Sequence, residues 1–119
     1  MRIFKSSVFQ RWADGENVSD TALEQAIKEM NSCLIDARLG GHLYKKRVAR
    51  LRGGKSGGFR TLIAFRIEDK AFFMYGFSKN KQSNISKDEL KSLKLMASEM
   101  LAYSDKDLVR LIKSKNSSM

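Results

Sequence analysis

The stretch from Ala71 to Phe77 is almost continuously apolar, and it limits the possible folds of this chain more than any other segment. A strand without alternating polar residues must be covered on both faces, so the sequence predicts a sheet with packing elements on each side. The preceding stretch, Phe59 to Ile67, alternates between apolar and polar residues, which is typical of a neighbouring strand. Between them, the polar segment Glu68–Lys70 predicts a hairpin turn.

Helical spacing of apolar residues returns on both sides of this region. Apolar residues recur at helical intervals from Leu23 to Leu34 and again from Leu90 to Leu101, so each stretch predicts a helix with one buried face. Capping-box patterns at Thr21–Glu24 and Ser86–Glu89 predict where these helices begin. A shorter helix, capped by Ser7, is expected before them.

The remaining elements complete a single-domain plan. Arg2–Lys5 predicts a first strand, Leu43–Arg52 a basic second strand, and Ser104–Asp107 the start of a last short helix. The order β-α-α-β-β-β-α-α predicts an α+β fold, a small antiparallel β-sheet with helices packed on it. We expect one domain over residues 1–112, followed by a flexible basic tail over residues 113–119.

The charge of the chain indicates a polyanionic partner. Lysine and arginine number 23 against 13 acidic residues, which gives a formal net charge of +10. Such an excess on a small domain is typical of nucleic-acid binders, although an anionic membrane or an acidic protein would also attract it. No apolar run approaches the roughly 20 residues that span a bilayer, so no membrane association through a spanning helix is expected.

The single cysteine and single histidine indicate no metal site. Cys33 cannot form an internal disulfide, which suits a reducing cytosol and a cytoplasmic protein, and we expect it to pack as a small hydrophobic residue. His42 follows two glycines and is expected in a loop. A metal site built on histidine is therefore not predicted.

The cations are concentrated in two predicted strands and their connection. Because residues two apart share a face of a strand, Arg50 and Arg52 point together, and Arg60 and Arg66 also share a face. If the strands pair, these four arginines line one concave basic surface. The whole cationic stretch comprises Lys45, Lys46, Arg47, Arg50, Arg52, Lys55, Arg60 and Arg66.

The glycine-rich segment Gly53–Gly58 is not a nucleotide-binding loop. A phosphate-binding motif needs a glycine where this chain has Ala49, and it must lead into a helix rather than a strand. We therefore expect an open turn whose backbone can approach a ligand. Lys79 and Lys81 follow the last predicted strand and are expected near Arg60 across the sheet.

Several segments resemble one family of bacterial toxins. The resemblance covers roughly residues 1–112 and is closest in Arg47–Arg52, Gly53–Phe65 and Tyr75–Asn80, with support from Arg2–Lys5, Arg11–Ala13 and Asn84–Ser86. These segments resemble the RelE/ParE toxins of type II toxin–antitoxin systems, and in particular their HigB-like, RelE-type branch.

The resemblance implies a RelE-like fold, a cognate antitoxin, and ribosome-dependent cleavage of mRNA without a metal ion or other cofactor. In the RNA-cleaving relatives, cations on the central strands hold the scissile phosphate, and Arg60, Arg50 and Lys79 match these cations. The neighbouring cations are then expected to bind RNA, namely Arg47, Arg52, Lys55, Arg66 and Lys81. A tyrosine that transfers protons in RelE has no counterpart in Asn84–Ser86, so the general base stays open between Lys79, Tyr75 and groups outside the chain.

Two alternatives of other classes stay open at this point. ParE relatives poison DNA gyrase without cutting RNA, and a non-catalytic regulator that binds nucleic acid would also need a basic surface. An ordered cluster of cations on a sheet favours the nuclease, because fixed positive charges stabilise the negatively charged transition state of phosphate cleavage.

Overall fold

The computed structural model describes residues 2–50, 54–78, 85–104, 106–107 and 117–118, with side chains at all of these except 49–50, 54–57 and 117–118. The helices are α1 (Ser7–Gly15), α2 (Asp20–Asn31) and α3 (Lys87–Ala102). The strands are β1 (Arg2–Lys5), β2 (Ala37–Gly40), β3 (Leu43–Arg50), β4 (Gly54–Arg66), β5 (Lys70–Ser78) and β6 (Ser117–Ser118).

These strands form one sheet in the order β2-β3-β4-β5-β1-β6. The pairs β3–β4 and β4–β5 are antiparallel, as predicted, and the pair β2–β3 is antiparallel as well. The α+β fold with helices packed on the sheet is confirmed. The sheet is nevertheless mixed, because β1 pairs with β5 in parallel. The two helices between β1 and the rest of the sheet carry the chain back across it, which permits this parallel pairing.

The two faces of the sheet bury separate apolar clusters. On one face, Leu62 and Ala64 pack with Ala97 and Leu101 of α3. On the other, the intervening residues of β4 pack with α1 and α2; this cluster includes Ile63, Phe65, Phe9, Leu23 and Ile27. The continuous apolar sequence of β5 contributes to both clusters, so the predicted coverage of both faces is confirmed.

Helix starts were predicted with mixed success. The capping box at Ser86 is confirmed, since its Oγ accepts the Glu89 N–H at 3.1 Å and donates to Glu89 Oε1 at 2.9 Å. The start at Thr21 is wrong, because Ser19 caps α2 by accepting the Ala22 N–H. Ser6 caps α1, so the predicted cap at Ser7 is also wrong by one residue. Two hydroxyl residues lie close together at the start of each of the helices α1 and α2, so the sequence pattern does not distinguish which of them is the cap.

The connection between β3 and β4 differs from the predicted open turn. Strand pairing resumes at Gly54, which lies opposite Arg50, so the segment expected as a loop over Gly53–Gly58 is part of β4 from its second glycine onward. The pairing register of the two strands shifts between Val48 and Arg50, and pairing continues to Arg50 and Gly54. Glycine is often found at such irregular strand positions.

Both ends of the sheet order contain strands that the sequence did not predict. Strand β2 pairs with β3 through Ala37, Arg38 and Gly40. At the opposite edge, Ser118 pairs with Phe4 of β1. The rest of the predicted tail, and Leu108–Ile112 of the predicted last helix, lie outside the described residues.

Candidate functional site: a basic face on the central hairpin

Arg47 of β3 and Arg60 of β4 lie directly opposite each other in the strand register. Arg60 lies two residues before Leu62, which packs on α3, so both arginines lie on the α3 side of the sheet. Lys45 lies opposite Leu62 and shares this side. We call Lys45, Arg47 and Arg60 the basic face. Like charges directly across a sheet repel each other and destabilise it, which is the kind of local conflict that marks functional sites.

The Arg60 guanidinium is held in the sheet surface without a counterion among the described residues. The residue is half-buried, and its Nη1 atom is buried and has no hydrogen-bond partner in the described part of the chain. A buried guanidinium N–H that lacks an acceptor costs free energy in the unliganded protein. A phosphate oxygen could accept this N–H, and the guanidinium fork suits such an oxyanion.

The backbone next to Arg47 is fixed by one side chain from outside the hairpin and one from β4. A carboxylate oxygen of Asp36 accepts the Arg47 N–H. The preceding carbonyl, of Lys46, accepts a hydrogen bond of 2.9 Å from the buried Thr61 hydroxyl. The Lys46 side chain points to the other face, where its Nζ atom lies 2.8 Å from Glu29 Oε1 of α2. These contacts fix the position of Arg47 beside Arg60.

Next to the basic face is a cavity of about 360 Å³ between β5 and the first half of α3. Tyr75 forms one wall, and its ring lies 6.1 Å from that of Phe77. In the strand register Phe77 lies opposite Arg60, so Tyr75 is the diagonal neighbour of Arg60, at a Cα separation of roughly 7–8 Å. The other lining residues are Ile85, Asp88, Glu89, Ser92 and Leu93.

The structure separates some of the predicted site residues. Arg66 is on the same strand as Arg60 but at its opposite end, roughly 20 Å away at about 3.3 Å per residue. There its guanidinium is 3.2 Å from the Asp69 carboxylate, beside the turn between β4 and β5. The expectation that Arg60 and Arg66 line one surface is therefore wrong.

The other predicted cations are near the end of the hairpin where β3 leads into β4, or outside the described part. The backbones of Arg50 and Lys55 lie in β3 and β4, at the end where Arg50 pairs with Gly54. Arg52, Lys79 and Lys81 lie outside the described residues. Ser78, the last described residue of β5, lies opposite Phe59, which directly precedes Arg60.

Sequence reasoning missed one member of the basic face and the residues that position it. Lys45 belongs to the cationic stretch but was not predicted as a site residue, because its partner across the hairpin depends on the register. No sequence pattern indicated a role for Asp36 or Glu29, because the contacts of both depend on how α2 and β2 pack beside β3.

The expectations for histidine and cysteine had different outcomes. His42 lies in the exposed turn between β2 and β3, as predicted, whereas Cys33 is exposed rather than packed as a small hydrophobic residue. Among the described residues, no cluster of histidine, cysteine or carboxylate side chains could hold a metal ion. None of the helices in the described part of the chain is long and apolar enough to cross a bilayer.

The fold and the basic face together define a small α+β protein with a cationic surface on its central hairpin. The chain belongs to the RelE toxin family. The family model described as the RelE toxin of the RelE/RelB toxin–antitoxin system matches residues 1–118, which is almost the whole chain. No curated protein matches the sequence. The protein is therefore the toxin component of a toxin–antitoxin system, and an antitoxin partner follows from its family.

Proposed function

We propose that this toxin is a ribosome-dependent mRNA endoribonuclease that inhibits translation in the cytoplasm. The observation that carries the proposal is the Arg47–Arg60 pair, with the buried Nη1 of Arg60 lacking an acceptor among the described residues. Two guanidinium groups at directly opposed positions of neighbouring strands suit the oxygens of one phosphodiester. The RelE family membership supports the same activity.

The proposed reaction is attack of a ribose 2′ oxygen on the adjacent phosphorus. The bond from phosphorus to the 5′ oxygen breaks, which leaves a 2′,3′-cyclic phosphate and a 5′ hydroxyl. Negative charge increases on the phosphate oxygens in the transition state, where preorganised cations stabilise it. We assign this role to Arg60, with Arg50 and Lys79 as further catalytic cations.

Proton transfer needs a group near the reacting oxygens. In the described part of the chain, the Tyr75 hydroxyl is on a side chain diagonal to Arg60 and borders the cavity beside α3. We propose that Tyr75 takes part in this proton transfer. The cavity could accept the base next to the scissile phosphate, since Tyr75 and Leu93 offer apolar walls and Asp88 and Glu89 offer acceptors for exocyclic amino groups.

Further cations are proposed to bind the RNA backbone. Arg47 contributes from the basic face. We propose the same role for Arg52, Lys55 and Lys81 because they lie close to Arg50 and Lys79 in the sequence. The position of Arg66 at the far end of β4 removes it from this proposed phosphate site. Backbone contacts of this kind give affinity without sequence selection, so the ribosome is proposed to orient the message and make it reactive.

The test is a primer-extension map of translated mRNA after brief induction, together with cleavage of the same purified RNA with and without ribosomes. We expect cuts within translated codons only when ribosomes are present. Arg60→Ala should abolish cutting and growth arrest while leaving the fold intact. Arg11→Ala, which removes an exposed cation on α1, is the matched control and should cut normally.

Three outcomes would overturn the proposal. Full toxicity of a folded Arg60→Ala variant would refute the assigned site. Equal cutting with and without ribosomes would refute ribosome dependence. Blocked DNA supercoiling without RNA cutting would instead favour a gyrase poison.

A further inference from the structure

A second pocket lies on the other side of the sheet from the basic face, where the end of α2 meets the turn between β2 and β3. It encloses about 240 Å³. Its apolar walls include Met30, Ile35, Tyr44 and Phe65, and we call it the Tyr44 pocket. Tyr44 and Phe65 belong to the α1–α2 side of the sheet, so this pocket opens on the side opposite to Arg60.

Two arginines and a histidine border the apolar walls. The guanidinium of Arg38 lies 6.0 Å from the centre of the Tyr44 ring, and Arg66 and His42 complete the rim. Arg66 is paired with Asp69, but both side chains are exposed, at 46% and 43%. An exposed ion pair of this kind contributes little stability, so a carboxylate from outside could replace Asp69 at little cost.

Exposed aliphatic side chains lie at the pocket and next to it. Ile67, which lines the pocket, is 52% exposed, and Leu34, which lies in the chain between the lining residues Cys33 and Ile35, is 58% exposed. Leu34 follows a helix end of the Schellman type, in which its N–H donates to Glu29 O at 2.9 Å and the Cys33 N–H donates to Met30 O at 2.9 Å. In this motif the residue at the Leu34 position frequently packs back on the helix, whereas here it faces solvent.

The pocket is built on fixed backbone. The carbonyl of His42 accepts the Phe65 N–H at 3.0 Å, which ties the turn between β2 and β3 to β4. Cys33 and His42, which line the pocket, both have positive φ angles, of 66° and 64°. The backbone is therefore in a left-handed conformation at these two positions of the pocket lining. A preformed pocket binds its partner without having to order these segments first.

We propose that the Tyr44 pocket is a docking site for an acidic segment of a partner protein that inserts one large apolar side chain. An apolar centre with a charged rim is the arrangement of protein–protein interfaces. Arg38 and Arg66, on a chain of net charge +10, match carboxylates next to the inserted residue. An RNA site would be expected to be more polar and more basic, and it would be continuous with the basic face. Occupation of this pocket leaves Arg47 and Arg60 accessible.

The test uses the full-length chain, labelled with ¹⁵N, and three synthetic peptides. The first has a central Phe between Glu residues, the second replaces this Phe with Ala, and the third replaces the Glu residues with Lys. We expect the first peptide to shift the amide resonances of Tyr44, Phe65 and Ile67 in a saturable manner. The Ala peptide should bind at least tenfold more weakly, because it lacks the side chain that fills the pocket.

Charge-matched variants separate this site from general attraction to a basic protein. Arg38→Glu with Arg66→Glu should weaken binding of the Phe peptide by at least tenfold. Arg11→Glu with Lys91→Glu makes the same change of net charge at exposed positions on α1 and α3 and should leave binding nearly unchanged. Equal weakening by both double variants would overturn the proposal, as would shifts confined to the basic face.

The remaining outcomes are also decisive. Absence of any shift at millimolar peptide would refute a peptide site, and shifts of the pocket residues by a short single-stranded RNA instead would identify a nucleic-acid site. RNA cleavage is measured separately with the same variants. Because the pocket and the basic face lie on opposite sides of the sheet, loss of the proposed nuclease function would leave the peptide result intact.

Discussion

The Lys46 Nζ atom lies 2.8 Å from Glu29 Oε1, and both side chains are largely buried, with 5% and 13% exposure. The pair joins β3 to α2 immediately before Arg47 in the chain. The pair lies on the α1–α2 side of the sheet. The next residue of the strand, Arg47, points to the other side, where it lies opposite Arg60. The pair is therefore expected to affect both the stability of the fold and the placement of the basic face.

Removing the carboxylate should leave a buried ammonium group without its partner. Glu29→Ala is expected to lower the free energy of unfolding by about 3 kcal/mol, as is usual when one member of a buried ion pair is lost. The measurement is urea denaturation followed by circular dichroism. Glu24→Ala removes an exposed carboxylate from the same helix and should change stability by no more than about 0.5 kcal/mol.

Replacement of both partners tests the cause of that loss. Lys46→Met with Glu29→Leu should recover most of the stability, because no buried charge is then left unpaired. If the double variant is as unstable as Glu29→Ala, the loss arises from packing of the α2 side chain and not from the ion pair.

The elements with strong local signals were predictable from the sequence. The buried strand β5 follows from its continuous apolar sequence, and the start of α3 follows from the capping box at Ser86. Strand β2 was missed because it is short and its pairing depends on β3. The parallel placement of β1 beside β5 likewise depends on tertiary packing, which no local pattern encodes.

The composition of the site was more predictable than its geometry. Its cations were evident in the sequence, but their grouping depends on the register of the β3–β4 hairpin. Pairing as far as Gly54 and an irregularity after Val48 place Arg47, rather than Arg50 or Arg52, opposite Arg60. Neither feature has a recognisable sequence signal.

Gly76 is required where Trp12 packs against β5. A Cβ atom at Gly76 would lie 2.3 Å from Trp12 Cζ3 and 2.4 Å from Cε3, far inside contact distance. Gly76→Ala should therefore lower the free energy of unfolding by about 2–3 kcal/mol, which is typical of overpacking. The effect is measured by urea denaturation.

Two control variants test whether the clash with Trp12 causes this loss of stability. Trp12→Leu removes the ring, so adding Gly76→Ala in that background should cost much less than in the original chain. Gly15→Ala meets nothing within 4 Å at the end of α1 and should be neutral or slightly stabilising. Equal costs for Gly76→Ala with and without Trp12 would contradict the steric explanation.

Asp36 is expected to act through Arg47. Because its carboxylate accepts the Arg47 N–H, Asp36→Ala should loosen the backbone beside Arg60 and lower the rate of RNA cleavage about tenfold on ribosomes. Asp36→Asn retains an acceptor oxygen and should keep most of the activity. In an Arg47→Ala background, Asp36→Ala should have little further effect, which a double-mutant cycle measures. Additive losses in that cycle would show that Asp36 acts independently of Arg47.

Substitution of Tyr75 distinguishes a role in proton transfer from a role in phosphate binding. Tyr75→Phe retains the ring that packs near Phe77 and removes only the hydroxyl, so the fold and the affinity for RNA should be preserved. If the hydroxyl transfers a proton, single-turnover cleavage on ribosomes should slow by about 10²-fold or more. Arg60→Lys provides the contrast, because it retains a charge but loses the guanidinium fork, and it should weaken both binding and cleavage.

The dependence of cleavage on pH distinguishes a chemical role of Tyr75 from a structural one. Loss of a proton-transfer group changes the shape of the pH–rate profile, whereas a small displacement of the phosphate lowers the rate equally at every pH. Tyr75→Phe is therefore expected to change the shape of the profile, and Arg60→Lys should lower the profile without changing its shape. A Tyr75→Phe variant with an unchanged rate and profile would return the proton transfer to Lys79 or to the ribosome, while leaving the proposed role of Arg60 in place.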